Sequence, residues 1–273
     1  MMLIDHMENE DSITFRGRRF IAKCIFNVLR IGPIPNHIAF IMDGNRRFAK
    51  KRNMAEGVGH EVGFQTLKSM IVFCLELGVK CVTAYAFSID NFRRKPEEVQ
   101  KLMDLMMEKM KHLTERESFV HQKQVRIHIA GNLELLNPPL RDAAKRLMEV
   151  TAGYSKAVLT ICIAYTSSNE IVHAVRESCE EKRNSIEDQT KDVSLDLVDI
   201  EKHMYMAIVP DPEIVIRTSG ENRLSNFLLW QSCSSQLVST AALWPEIGFW
   251  HLVCAVLDFQ RNHIYLGKKK KQI

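Results

Sequence analysis

Continuous apolar runs and helically spaced apolar residues alternate along this chain. Residues 37–42 read His-Ile-Ala-Phe-Ile-Met and break off in Asp43-Gly44-Asn45-Arg46-Arg47. Comparable runs fill residues 80–87, 125–130, 158–164 and 213–217, with a weaker one at 236–240. Short apolar runs without strict alternation suit strands buried on both faces. Between them, apolar residues recur at helical spacing over 60–77, 96–119, 140–154, 168–181 and 249–261. Pro96 followed by Glu97 and Glu98 is a good helix start, because proline suits the first turn and acids favour the positive end of the dipole. Strands alternating with helices predict an α/β fold, a central and mostly parallel six-stranded sheet flanked by helices. Residues 180–192 are poor in apolar side chains and read as an exposed insertion or flexible loop.

The first 33 residues form a separate segment. Phe20, Ile21, Cys24, Ile25, Val28 and Leu29 give one apolar helical face, with Arg18, Arg19, Lys23 and Arg30 beside it. Two readings fit equally, an interfacial helix lying on anionic membrane and a helix packed against its own domain. We therefore expect an amphipathic segment at 1–33, a single main domain at 34–263 and a basic tail at 264–273. The tail ends Lys268-Lys269-Lys270-Lys271-Gln272-Ile273, and its Lys-Lys-Gln-Ile end resembles a dilysine retrieval pattern. A solubilising or lipid-surface patch is the favoured reading.

Composition adds limits. A chain of 273 residues, 46% hydrophobic and 26% charged, is globular and long enough to bury a full core. A net charge of +4 is too weak to argue for nucleic acid. The seven cysteines form no Cys-x-x-Cys pair, and several lie in apolar runs, which favours buried free thiols in a reducing compartment over disulfides or zinc. No apolar run reaches transmembrane length and no signal peptide is expected.

The chemistry gathers at the strand ends. Asp43 offers a hard oxygen to Mg²⁺, which is commonly held by one or two carboxylates plus substrate phosphates. Gly44 lets the backbone approach a ligand, and Arg46 and Arg47 suit an anion at the start of the next helix. A plain strand followed by a helix start, with arginines in solvent, explains this segment alone about as well. Three companions change the balance. Ser88, Asn91 and Arg94 follow the second run, Arg217, Arg223 and Ser225 follow the fifth, and Gly57-Val58-Gly59-His60 opens a helix soon after Asp43. Strand ends of a parallel sheet open on one side, so these segments should converge on a pocket for two polyanions. Leu102, Met103, Met106 and Met110 form a methionine-rich helical surface. Core packing explains it on its own, and beside a diphosphate pocket it also suits the wall of a hydrocarbon tunnel.

From about residue 34 to 260 the chain resembles the cis-prenyltransferases, the undecaprenyl and dehydrodolichyl diphosphate synthases. The resemblance rests on the motifs at 37–47, 86–94, 216–231 and 243–246, and it is nearest to the eukaryotic, plant-type dehydrodolichyl diphosphate synthases. It implies successive cis condensation of isopentenyl diphosphate onto an allylic diphosphate such as farnesyl diphosphate. The product would be a long polyprenyl diphosphate for dolichol synthesis and protein glycosylation. It also implies Mg²⁺ on Asp43, the allylic diphosphate on Gly44, Asn45, Arg46, Arg47 and Arg94, and isopentenyl diphosphate on Arg217, Arg223 and Ser225. Ser88, Asn91 and His60 would orient the reacting groups or move the proton. Glu56 and Gln236 stand where bacterial members have an arginine and a metal-binding glutamate. The Arg-x-Gly motif that completes a neighbouring site in homodimeric members is missing. The resemblance therefore implies a heteromer with a Nogo-B-receptor-like accessory subunit around a dimeric core. That assembly would be peripheral to the cytosolic face of the endoplasmic reticulum membrane, the cytosol being the other location considered. Short-chain or rubber-type products, and a non-catalytic accessory role, are the rival expectations.

Overall fold

The computed structural model describes residues 13–55, 57–185 and 194–270. Among the described residues there are six strands: β1 (His37–Ile41), β2 (Cys81–Ser88), β3 (Val125–Ala130), β4 (Ala157–Tyr165), β5 (Ile214–Arg217) and β6 (Gln236–Ser239). They hydrogen-bond in the order β3-β4-β2-β1-β5-β6, and the β1–β5, β3–β4 and β5–β6 pairs are parallel. The α/β class and the six-stranded sheet expected from the apolar runs are therefore observed. By contact clustering the chain divides into two compact units. One comprises Met1–Val82, Pro212–Asn222 and Ser234–Ile273, and the other Thr83–Asp211 and Arg223–Cys233.

In the first unit, every residue of β1 and β5 is buried, as a strand flanked on both faces requires. Ile41 lies opposite Arg217, so both strands end at the same level. The weak apolar run is β6, whose residues alternate between half-buried and exposed, as suits the last strand of the order. The α-helices of this unit among the described residues are α1 (Ile13–Leu29), α2 (Asn45–Lys51), α3 (Val58–Leu77) and α9 (Phe249–Lys270). Helix α1 packs on α3 and α9, with Phe26 against Phe249 at 5.2 Å between ring centres. Of its expected apolar face only Leu29 is buried and Ile25 half-buried, whereas Phe20, Ile21, Cys24 and Val28 are exposed; the other buried residue, Phe26, was not part of that face.

The second unit holds β3 and β4 together with α4 (Pro96–Thr114), α5 (Phe119–Lys123), α6 (Pro138–Thr151), α7 (Ser167–Ser185) and α8 (Leu197–Lys202). Helix α6 packs on β3 and on α4. Its start is specified locally, with Pro138 in the first turn and the Asn137 side chain accepting from Leu140 N–H at 3.0 Å.

Three expectations change. The helix expected over 96–119 ends at Thr114, where Glu115 turns extended and the Ser118 hydroxyl donates to Leu113 C=O at 2.9 Å. The polar stretch from 180 remains helical to Ser185, and residues 186–192 of it lie outside the described residues. Helix α9 reaches Lys270, so residues 264–270 of the expected tail are helical, and Lys271 to Ile273 lie outside the described residues. Glu56 is likewise outside them. All seven cysteines are free, but only Cys74, Cys81 and Cys162 are buried; Cys24, Cys179, Cys233 and Cys254 are exposed.

Candidate active site

The first unit brings together most of the residues expected at the ends of β1 and β5. Asp43 Oδ1 receives Arg47 Nη2 at 3.1 Å and Asp43 Oδ2 receives Arg217 Nη2 at 3.0 Å. Arg217 comes from the buried end of β5, with 9% of its side chain exposed, whereas Arg47 stands half exposed on α2. Burial would raise the Asp43 pKa, but the hydrogen bonds from Arg217 and Arg47 outweigh it and hold the carboxyl below its ordinary range. Glu221 lies 3.8 Å from Arg47, completing an alternating array of two acids and two arginines.

The turn carrying Asp43 is shaped by close approach. Gly44 has φ +113°, and a Cβ there would stand 2.5 Å from Ser219 Oγ and 3.0 Å from Leu243, so only glycine fits. Helix α2 then begins at Asn45, with Phe48 N–H bonded to Gly44 C=O at 2.8 Å. Arg46 is exposed on its first turn. His60 lies in the first turn of α3, half-buried, with its N–H on Gly57 C=O at 2.9 Å. Gly59 and Gly63 form the face of α3 that touches Asn45, and Trp244 Nε1 donates to Gly63 C=O at 2.8 Å.

In the second unit, Ser88 and Asn91 lock one another. The Ser88 hydroxyl accepts from Asp90 N–H at 3.1 Å, and the Asn91 side chain accepts from Ser88 N–H at 3.0 Å. They cap a short 3₁₀ turn, Ile89–Arg93, a pairing that runs of hydrophobicity do not reveal. Arg94 pairs with Glu98 at 2.9 Å. The segment bearing Arg223 and Ser225 is strongly anchored. Asn226 C=O accepts from Ser167 N–H at 2.8 Å, Asn226 Oδ1 accepts from Ser168 N–H at 3.1 Å, and Phe227 stacks on Tyr85 at 4.4 Å. Ser225, Asn226 and Leu228 all have positive φ, which persists only where surrounding contacts over-determine the backbone. Beneath them Glu170 is fully buried, accepting from Tyr165, Gln231 and Met206 N–H. Burial raises its pKa in spite of those donors. On α4, Met103 and Met110 are buried while Leu102 and Met106 are half-buried.

Sequence reasoning missed Thr218, Ser219, Trp244 and Glu170. All four work through bonds to distant backbone or buried groups; Thr218 and Ser219 directly after Arg217, and Trp244 within the 243–246 motif, had a clue in the sequence, and Glu170 had none. Among the described residues no group of three His, Cys, Asp or Glu side chains could hold a metal ion. A lone carboxylate fits a hard divalent cation that brings its remaining oxygen ligands with a diphosphate.

The prenyltransferase family model of undecaprenyl diphosphate synthases matches residues 41–267. A dehydrodolichyl diphosphate synthase of Solanum lycopersicum is 54% identical, with 93% of each chain covered. The human dehydrodolichyl diphosphate synthase complex subunit is 45% identical over 89% of this chain and 72% of its own. Among solved structures, lavandulyl diphosphate synthase from Lavandula x intermedia, in complex with dimethylallyl diphosphate, superposes with a TM-score of 0.74. It is 29% identical over 83% of this chain and 95% of its own.

Proposed function

The chain belongs to the undecaprenyl diphosphate synthase family of cis-prenyltransferases, and from that premise we propose that it condenses isopentenyl diphosphate onto farnesyl diphosphate. Repeated condensation yields a long polyprenyl diphosphate of the dehydrodolichyl type, for dolichol synthesis and protein glycosylation. The observation that carries this reading is Asp43, ionised between Arg47 and Arg217 where two parallel strands end. A diphosphate can take the same guanidinium donors that neutralise the carboxylate here, and arginine forks match phosphate oxygens well.

In this reading Asp43 is the protein ligand of Mg²⁺, with Gly44, Asn45, Arg46, Arg47 and Arg94 assigned to the allylic diphosphate. Arg217, Arg223 and Ser225 are assigned to isopentenyl diphosphate. When bound, Mg²⁺ offsets charge on the departing diphosphate. The allylic C–O bond breaks, the isopentenyl double bond forms the new C–C bond, and a proton leaves the adjacent carbon. Ser88 and Asn91, fixed by their mutual capping, and His60 are assigned to orienting the reacting groups or moving the proton. Leu102, Met103, Met106 and Met110 are assigned to the wall for the growing chain.

Two finer points belong to this proposal. The human relative is named as a subunit of a complex, which supports a heteromer with a Nogo-B-receptor-like accessory chain. The exposed Phe20, Ile21 and Val28 of α1, beside Lys23 and Arg30, support peripheral association with the endoplasmic reticulum membrane. Among the described residues no helix is long and apolar enough to cross a membrane.

The test is incubation with farnesyl diphosphate and labelled isopentenyl diphosphate, with and without the accessory chain, followed by chain-length analysis. Asp43→Ala should abolish product while folding and partner binding persist; undiminished product would refute the assignment. Full activity of the purified chain alone would refute the heteromer.

A further inference from the structure

We propose that Thr218, which lies outside the diphosphate clamp, is a positioning residue that aims the Asp43 carboxylate. The inference rests on the reading of Asp43 given above. Thr218 is fully buried, and its hydroxyl holds both sides of one residue: it accepts from Asp43 N–H at 3.0 Å and donates to Asp43 C=O at 2.6 Å. The same carbonyl accepts from Ser219 Oγ at 2.9 Å and from Trp244 N–H at 2.9 Å. Bonds to the N–H and C=O of a single residue fix the peptide planes on both sides of it. They therefore fix the direction in which its Cα–Cβ bond leaves the backbone.

Threonine suits the task because branching at Cβ restricts χ1, so the hydroxyl does not wander. Arg47 and Arg217 restrain only the far end of the Asp43 side chain. If those guanidiniums move to a phosphate, the carboxylate loses that restraint, and the backbone anchor is what keeps its aim. Reaction rates are sensitive to such aim, since a misplacement of about 1 Å can cost on the order of a hundredfold.

The anchor can be removed without orphaning a buried group. Asp43 N–H also donates to Ile41 C=O at 3.0 Å, and Asp43 C=O retains Ser219 and Trp244. Thr218→Val keeps the shape and deletes only the hydroxyl, while Thr218→Ser keeps the hydroxyl.

The experiment compares wild type, Thr218→Val, Thr218→Ser and Asp43→Ala in the full chain, together with its accessory subunit where activity requires one. Mn²⁺ affinity is titrated by electron paramagnetic resonance in the presence of inorganic diphosphate, alongside kcat, KM and the unfolding midpoint. Thr218→Val should weaken Mn²⁺ binding and lower kcat by about tenfold or more at an unchanged midpoint, and Thr218→Ser should restore both. Wild-type binding and kcat in Thr218→Val, beside a dead Asp43→Ala, would overturn the positioning role alone. A collapse of the midpoint in Thr218→Val would make the hydroxyl a structural requirement and overturn it as well. Should Asp43→Ala itself bind Mn²⁺ and turn over normally, the reading of Asp43 fails and this inference falls with it.

Discussion

Gly59→Ala tests whether the start of α2 depends on its close approach to α3. A Cβ built on Gly59 falls well inside the 3.0 Å that real Cβ atoms keep, and the atom it meets is the backbone carbonyl oxygen of Asn45. The Asn45 carbonyl carbon stands at 3.0 Å and Ala49 Cβ at 3.2 Å. A backbone oxygen cannot rotate away, so one of the two helices must shift. Overpacking of this kind costs about 1–3 kcal/mol. The shift also strains the Trp244 Nε1 to Gly63 C=O bond, and loss of a hydrogen bond adds about 1 kcal/mol. Alanine returns up to about 1 kcal/mol through helix propensity. The net loss is then about 1–3 kcal/mol, and at about 2–4 °C per kcal/mol for a domain of this size the unfolding midpoint should fall by roughly 2–12 °C. Because Asn45 directly follows Asp43 and Gly44, the KM for farnesyl diphosphate should rise about tenfold. Thermal unfolding and steady-state kinetics provide the readings. Gly153→Ala is the control, since its Cβ would meet nothing within 4 Å. A Gly59→Ala protein as stable as wild type, with unchanged KM, would show that the glycine is not there for close approach.

Other expectations follow from the same structure. The raised pKa of Glu170 means that the folded state holds its proton more tightly than the unfolded chain. Stability should therefore fall as pH rises from the ordinary glutamate value to the raised one, then level off; urea unfolding from pH 4 to 8 reads this slope, and Glu170→Gln should flatten it. Glutamine offers one acceptor oxygen where Glu170 uses two, so Glu170→Gln should also cost about 1–3 kcal/mol in neutral urea melts. Asp43, by contrast, has a lowered pKa, so its ion pairs contribute stability above the ordinary aspartate value and lose it as pH falls through the lowered one. The acid limb of kcat/KM should then not report Asp43, and Arg217→Ala should move its titration upward in a nuclear magnetic resonance pH series. Replacing Phe20 and Val28 together by serine should leave the unfolding midpoint nearly unchanged, because both are exposed, while reducing flotation with anionic liposomes several-fold. Equal flotation of that variant and wild type would remove α1 from membrane association.

What the residues disclosed and what they hid divide along a physical line. Burial on both faces leaves a mark in composition, so β1 and β5 were legible, and β6 was faint because half its residues face solvent. Helix ends without proline or glycine leave little mark: nothing in composition separates α4 from α5, where Ser118 turns back on Leu113. A polar helix surface is indistinguishable from a loop by hydrophobicity, so α7 runs further than expected on good helix formers such as Glu, Lys and Arg. The apolar arc of α1 was legible as an arc but not in its use, since Leu29 is covered, Phe20 and Val28 are not, and Phe26, outside the expected arc, is buried. The site divides in the same way. Charged side chains standing where apolar runs stop were visible because their solvation cost demands a purpose. Thr218 acts on Asp43 across 175 residues and Gln231 on Glu170 across 61, and no local pattern encodes a hydroxyl that bonds a distant backbone. Charged side chains at strand ends can thus be read from the chain, whereas the groups that hold them in place emerge only once the strands are side by side. Variants chosen from motifs alone would therefore sample Asp43 and its arginines and pass over Thr218, whose conservative replacement by valine separates aim from charge.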